Sequence, residues 1–294
     1  MSAGVDAVVV NYLAGAHLPA CVRSLRAEGV AQVVVVDNGS EDGSLDLLRE
    51  QDPDARVVAS ATNLGYGAGV NRGLRHCSSE LVLVSNPDVV ARPGSVAALV
   101  SAITDDDRVA IAGPRVEDPH GRLYPSARSF PSILEAFGHG FLGLVAPKNS
   151  FSRRYQLLDW DHQARRAVDW VSGSCFLARR SALLALSGFD ERYFMYSEDV
   201  DLCWRARQAG LGVVYEPTAV VTHIQGVSTR HQPYRMIVAH HRSLLRFAAR
   251  STTGSRRALL PAVAAGLGLR AGVLVARQAM TGWAQGLGRW SRRR

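Results

Sequence analysis

Four short apolar runs constrain this chain more than any other feature. Val5–Val10, Val33–Val36, Arg56–Ala59 and Leu81–Val84 read as strands, and between them His17–Glu28, Ser44–Glu50 and Gly67–Arg75 read as helices. A β-α-β-α order with nearly continuous apolar strands predicts an α/β fold: a mostly parallel sheet, right-handed crossovers and helices on both faces. Ligands on such sheets bind beyond the carboxyl ends of the strands.

The residues that follow those strands are Asn11, Asp37, Asn63–Gly65 and Asn86-Pro87-Asp88. Asn, Asp and Gly each make turns for reasons of their own. Four polar strand ends in register, two of them reaching an acid, point to a site rather than to four separate turns. The run Gly65-Tyr66-Gly67-Ala68-Gly69 follows the third strand. A dinucleotide fingerprint belongs after the first strand, so these glycines fit close packing beside a ligand better than NAD binding.

A second concentration of chemistry lies at Tyr193–Ala209, Y-F-M-Y-S-E-D-V-D-L-C-W-R-A-R-Q-A. Val200, Trp204 and Arg207 have helical spacing, and Ser197 is expected to cap that helix. Glu198, Asp199 and Asp201 fall in its first turn, where acids complement the helix dipole. Phe194, Met195 and Tyr196 wall the same place, and a partly desolvated, still ionised carboxylate suits a general base. Arg205 and Arg207 are expected to pair with nearby acids.

The second half, from about Val109, is less regular. Phe130–Pro147 mixes glycines with aromatic and aliphatic residues and predicts a mobile apolar loop or lid. Val168–Ala178 reads as a strand broken at Ser172-Gly173-Ser174, and Arg180–Leu186 as a short helix. The expected division is 1–250 for the main domain, with halves 1–108 and 109–250, and 251–294 for a helical appendage.

The formal charge of +8 is unevenly placed, because no Asp or Glu follows Glu216. From Ser255 onward Leu269, Val273, Ala276, Met280, Trp283, Leu287 and Trp290 recur at spacings of three and four, with arginines on other sides. This pattern fits a basic amphipathic helix lying on an anionic membrane surface, although packing on protein produces the same stripe. Ala258–Ala276 is almost long enough to span a bilayer; Pro261, its glycines and Arg270 argue against spanning. No nucleic-acid-binding motif accompanies the basic residues, so a nucleic-acid partner is not expected. The four cysteines, Cys21, Cys77, Cys175 and Cys203, form no C-x-x-C pair, so neither a zinc site nor a disulfide framework is expected, and reduced thiols are. The first residues enter a strand with no basic leader, so no signal peptide is expected.

Taken in order, V-V-V-N-Y, V-V-V-D-N-G-S, N-x-G-Y-G-A-G-x-N-x-G, N-P-D-V, G-F-D-E-R-Y-F-M-Y-S-E-D-V-D-L-C-W-R and T-H-I-Q-G-x-S-T resemble the inverting GT-A glycosyltransferases of family two. The likeness runs from about Val5 to Phe247 and is strongest to bacterial rhamnosyltransferases acting on lipid-linked sugars. It implies a GT-A fold with a Rossmann-like sheet and a nucleotide-sugar donor, dTDP- or UDP-linked. It implies a polyprenyl-diphosphate-linked sugar acceptor met at the cytoplasmic face of the membrane, with the chain held there peripherally. It implies Asp37 as a contact to the nucleotide base, with Val9 and Asn11 lining that pocket and Asn63 and Gly65 beside it. Asp88 takes the last position of the family's D-x-D motif and, with His223, would hold Mg²⁺ or Mn²⁺. Asn86 stands where the first Asp of that motif often sits. Asp199 takes the position of the general base. A UDP-dependent hexosyl- or galactofuranosyltransferase is the alternative enzyme. A non-catalytic nucleotide-sugar-binding adaptor is the reading of another class, and the intact Asp88 and Asp199 speak against it.

Overall fold

The computed structural model describes residues 4–228 and 231–291, with side chains through Met280 except those of Ile133, Leu134 and Phe137. The first half contains β1 (Val5–Asn11), α1 (His17–Ala27), β2 (Gln32–Asp37), α2 (Ser44–Gln51), β3 (Arg56–Ala59), α3 (Tyr66–Leu74), β4 (Leu81–Ser85), β5 (Val89–Ala91) and α4 (Ser95–Thr104). The second half adds β6 (Val109–Glu117), β7 (Leu123–Tyr124), β8 (Ala127–Arg128), α5 (Ile133–Leu142), α6 (Ser150–Tyr155), β9 (Arg166–Ala167), β10 (Trp170–Val171) and β11 (Cys175–Arg179). It ends with α7 (Arg180–Ala185), α8 (Glu198–Gln208), β12 (Gly212–His223), α9 (Pro233–Ser251) and α10 (Leu260–Ser291).

The main sheet runs β3-β2-β1-β4-β11-β6-β12-β5. Its first four strands are parallel to one another, as are β6 and β12. β11 inserts antiparallel between β4 and β6 and so joins the halves into one sheet. The predicted break at Ser172–Ser174 is present: β10 pairs with β8 in a separate small sheet, and β11 enters the main one.

Alternation along β1 explains why it is apolar throughout. Val5, Ala7 and Val9 pack with Leu18, Val22 and Leu25 of α1 on one face. Val8 and Val10 pack with Tyr66, Val70 and Leu74 of α3 on the other. Burial on both faces removes the polar half of the usual strand pattern. Gly73 lets α3 approach β1, since a Cβ there would run into the Val8 side chain.

One expectation for the second half is corrected. Phe130–Pro147 is not a loop throughout: Ser132 and Glu135 form a reciprocal capping box that starts α5. Glycines lowered the helical signal there, yet Gly138 is required because the Phe151 ring of α6 lies against it. The tail is helical as expected, and Pro261 falls in the first turn of α10, where a missing N–H costs nothing. Gly254–Met280 is long and apolar enough to cross a membrane, with mean hydropathy 1.8. Arg270 does not face outward from it. Its Nε donates to Gly140 O of α5 at 2.7 Å and its Nη1 meets His241 Nε2 of α9 at 2.9 Å. Leu269, Val273 and Met280 remain exposed, while the side chains of Trp283, Leu287 and Trp290 lie outside the described residues.

Candidate active site

A cavity of about 480 Å³ opens at the carboxyl edge of the sheet. It brings together Asn63, Gly65, Asp88, Asp199 and His223, which the chain spreads over four segments. Val9, Asn11 and Asp37 do not form its wall; Val10, Tyr12 and Asn38 from the same strand ends do. Val9 is fully buried in the core against α1. Asn11 and Asp37 build the floor beside the cavity instead. Asn11 Nδ2 reaches Asp37 Oδ1 at 2.8 Å, Ser44 Oγ at 2.9 Å and Ser40 Oγ at 3.1 Å. Asp37 Oδ2 accepts from the Gly39 and Ser40 N–H groups at 3.1 and 3.0 Å. The carboxylate therefore fixes the turn after β2.

Gly65 is a backbone requirement. Its φ is +93° and a Cβ would overlap the Phe194 carbonyl oxygen, which accepts from Tyr66 N–H at 3.0 Å. Asn63 Oδ1 accepts from Gly65 N–H at 2.9 Å, and Asn38 Nδ2 donates to Gly65 O at 3.1 Å. These bonds tie the start of α3 to the segment before α8.

Asp88 and His223 meet where β12 pairs antiparallel with β5. Asp88 Oδ1 lies 3.2 Å from His223 Nε2, and Asn86 Nδ2 is 3.4 Å from the same nitrogen. Two neighbouring ligands of an octahedral ion, each at about 2.1 Å, stand about 3 Å apart, so this pair fits one divalent cation. Among the described residues no cluster of three or more His, Cys, Asp or Glu offers a closed metal cage. The protein would supply two ligands, with substrate oxygens and water completing the shell, as is usual for Mg²⁺. His223 Nδ1 is buried without a protein partner. Metal-bound histidines normally have that second nitrogen hydrogen-bonded, so of the two Asp88 would be the stronger ligand.

The three acids of α8 separate cleanly. Asp201 is fully buried and structural: Arg205 Nε donates to Oδ2 at 2.7 Å and Arg250 Nη1 to Oδ1 at 2.8 Å. Arg207 likewise pairs with Asp169 at 2.6 Å. Asp199 faces the cavity and accepts from Gly173 N–H at Oδ2 and from Val200 N–H at Oδ1, both at 2.8 Å. A carboxylate has about four lone-pair positions, so each oxygen keeps one for a substrate hydroxyl. Burial pushes the Asp199 carboxyl above the ordinary aspartate range, against the two N–H groups and the Arg128 charge, which lower it. Glu198, beside it, is pushed up much further by burial and then by the Asp199 charge.

The expected Ser197 cap is absent. Ser197 has φ +61° and no side-chain capping bond, and Tyr196 before it has φ +68°. Two successive non-glycine residues in the left-handed region are costly, and such strain concentrates at functional sites. Here the double kink leads the backbone directly into Glu198 and Asp199.

Sequence reading missed Arg128. Its guanidinium stands over the rings of Tyr124, Tyr155 and Trp170 at 5.5, 5.5 and 5.1 Å, in the wall of the same cavity. Nε donates to Pro125 O at 2.8 Å and Nη2 to Tyr124 OH at 2.9 Å. Among the described residues it is the only Arg or Lys lining the cavity. No spacing signals it, because its cage is assembled from three separate segments.

Residues 6–186 match the sequence model described as glycosyl transferase family 2. The chain is 40% identical over 266 residues to the N-acetylglucosaminyl-diphospho-decaprenol L-rhamnosyltransferase of Mycobacterium tuberculosis, covering 86% of each chain. It is 26% identical over 202 residues to a rhamnosyltransferase of Escherichia coli K12, covering 65% of this chain and 74% of that one. In structure it is similar to a mannosyltransferase from Pyrobaculum calidifontis solved with GDP-Man and Mn²⁺, with a TM-score of 0.60 and 16% identity over 99% of this chain and 83% of that one. The glucosyl-3-phosphoglycerate synthase of M. tuberculosis, solved with Mn²⁺, UDP and phosphoglyceric acid, gives a TM-score of 0.57 at 16% identity over 86% of this chain and 80% of that one.

Proposed function

Because this chain belongs to glycosyl transferase family 2, and is therefore a glycosyltransferase, we propose that it moves L-rhamnose from dTDP-rhamnose to a polyprenyl-diphosphate-linked N-acetylglucosamine. The observation that carries the choice of sugar and acceptor is the 40% identity, over 86% of both chains, to an enzyme named for that transfer. The cavity chemistry supports the reaction type. Asp199 stands as an acid whose N–H partners favour the charged form, as a general base must be near neutral pH. It takes the proton of the acceptor hydroxyl while that oxygen attacks the anomeric carbon from the face opposite the leaving group. Inversion follows from this single displacement, and no covalent enzyme intermediate is needed.

Asp88, with His223 as the lesser ligand, would hold Mg²⁺ or Mn²⁺. When bound, such an ion neutralises the charge that accumulates on the departing nucleoside diphosphate. Asp37 holds the turn at the nucleotide end, and a bond to the pyrimidine N–H would use the Oδ1 lone pair that Asn11, Gly39 and Ser40 leave free. The acid-free basic tail and the exposed Leu269, Val273 and Met280 support peripheral attachment at the cytoplasmic face of an anionic membrane, where the lipid acceptor diffuses.

The test is transfer in vitro with divalent metal. Polyprenyl-diphospho-N-acetylglucosamine is offered together with dTDP-rhamnose, UDP-hexoses and UDP-galactofuranose in turn, and the lipid product is weighed by mass spectrometry. A deoxyhexose added only from dTDP-rhamnose is expected. Transfer from a UDP-sugar instead overturns the donor, and equal binding of GDP and dTDP overturns the pyrimidine contact at Asp37.

A further inference from the structure

We propose that Glu198 is the uncharged member of the Glu198–Asp199 pair at neutral pH and donates a hydrogen bond to a sugar hydroxyl in the cavity. The inference rests on reading that cavity as the site of glycosyl transfer. Its starting point is an imbalance among three acids in one helical turn. Asp201 is held by two arginines and Asp199 by two backbone N–H groups. Glu198 is only 5% exposed and lines the cavity, yet its Oε2 is buried with no partner.

The surroundings decide where a proton goes. The ionisable groups acting on Glu198 are Asp199 on its own helix, Tyr66 at the start of α3 and Tyr196 in the kinked segment before α8. None is cationic, and among the described residues no Lys or Arg forms an ion pair with Glu198. Asp199 accepts from the Gly173 and Val200 N–H groups and has the Arg128 charge near it, whereas Glu198 has only its own backbone N–H. Two adjacent carboxylates in a low-dielectric pocket do not both ionise readily, so the first proton taken up settles on the acid with fewer donors and an unpartnered oxygen. Burial and the neighbouring charge both raise the Glu198 carboxyl, in agreement with this assignment.

A protonated carboxyl offers one donor and retains acceptor capacity. A sugar hydroxyl has the same mixed character, so the two pair without burying a charge. Buried polar atoms in native proteins rarely stay unpaired, and the substrate is the missing partner for Oε2. Asp199 is then left as the single anion facing the acceptor hydroxyl, and the division of labour follows from which residue the backbone N–H groups reach.

Glu198→Gln and Glu198→Ala in the full-length chain test this. Gln reproduces a neutral carboxyl in size and donor capacity; Ala removes it. With dTDP-rhamnose and the lipid acceptor, Gln is expected to keep kcat/KM within about threefold of the unmutated enzyme, and Ala to lose about tenfold or more. A second reading comes from thermal unfolding. A carboxyl whose folded pKa is raised binds more protons in the native state, so its contribution is present at low pH and is lost as pH rises. The Tm of Glu198→Gln should therefore gain on the unmutated protein as pH rises above the ordinary glutamate range. Gln as damaging as Ala, Ala as active as the unmutated enzyme, or a Tm difference independent of pH each overturns the proposal. Failure of the unmutated enzyme to transfer any sugar would instead remove the reading of the cavity on which it rests.

Discussion

The Gly173 N–H donates to Asp199 Oδ2 at 2.8 Å from the loop between β10 and β11, and a Cβ on Gly173 would lie 3.3 Å from that same oxygen. The loop therefore both orients the carboxylate and leaves room beside it. Asp199→Asn keeps the shape and removes the basicity. Turnover should fall by about two to four orders of magnitude while donor affinity stays within about twofold. Single-turnover kinetics alongside calorimetric binding of dTDP separates the two, and near-normal turnover would move the base to another residue.

Acid loss of activity should come at a higher pH than an ordinary aspartate would give, because burial raises Asp199. The ionised form is the active one, so kcat/KM falls as pH drops through that raised value. Arg128 opposes the rise. Arg128→Met should thus move the acidic limb to still higher pH, whereas Arg128→Lys should move it less. A limb that stays in place in Arg128→Met would confine this residue to packing the Tyr124–Tyr155–Trp170 cage.

Much of this site is legible in the sequence, and the reason is topological. Asn63, Gly65 and Asp88 sit in turns at the sheet's carboxyl edge and His223 ends a strand there, so reading strand ends finds them. Asp37 and Asn11 are found by the same rule, but their bonds turn toward each other, which no pattern specifies. Ser197 was expected to cap α8 on residue type alone; the left-handed backbone at Tyr196 and Ser197 prevents it and is invisible in composition. Arg128 escapes because β8 has two residues and its aromatic neighbours come from separate segments. The helical character of α5 is hidden by its glycines, of which Gly138 is the one that admits the Phe151 ring.

Removing the carboxylate of Asp88 should abolish the metal dependence of nucleotide binding. Asp88→Ala is expected to bind dTDP equally with and without Mn²⁺, as measured by calorimetry. His223→Ala should weaken metal affinity by about tenfold, since its ring lacks the partner that orients a strong ligand. Undiminished transfer by the unmutated enzyme in excess chelator would sink both expectations.

The tail tests how the enzyme meets a lipid acceptor. Arg270 ties α10 to α5 and α9, while Leu269 and Val273 beside it are 66% and 48% exposed and Met280 is 64% exposed. One face of the helix is thus docked on protein and another is apolar and open. Burying an exposed aliphatic side chain is worth about 1.5–3 kcal/mol at full depth, and each arginine near an anionic surface adds about 1 kcal/mol. Leu269→Ser, Val273→Ser and Met280→Ser together should lower affinity for phosphatidylglycerol vesicles by at least about tenfold. They should leave Tm and transfer to a short soluble acceptor unchanged, because these side chains contact no core. Arg270→Ala should do the reverse and lower Tm, since it removes the bonds that dock α10. Unchanged vesicle binding in the triple variant would make the open face a protein interface rather than a membrane one. Binding that survives high salt and alkaline washing would show a spanning helix, an outcome the length and hydropathy of Gly254–Met280 permit.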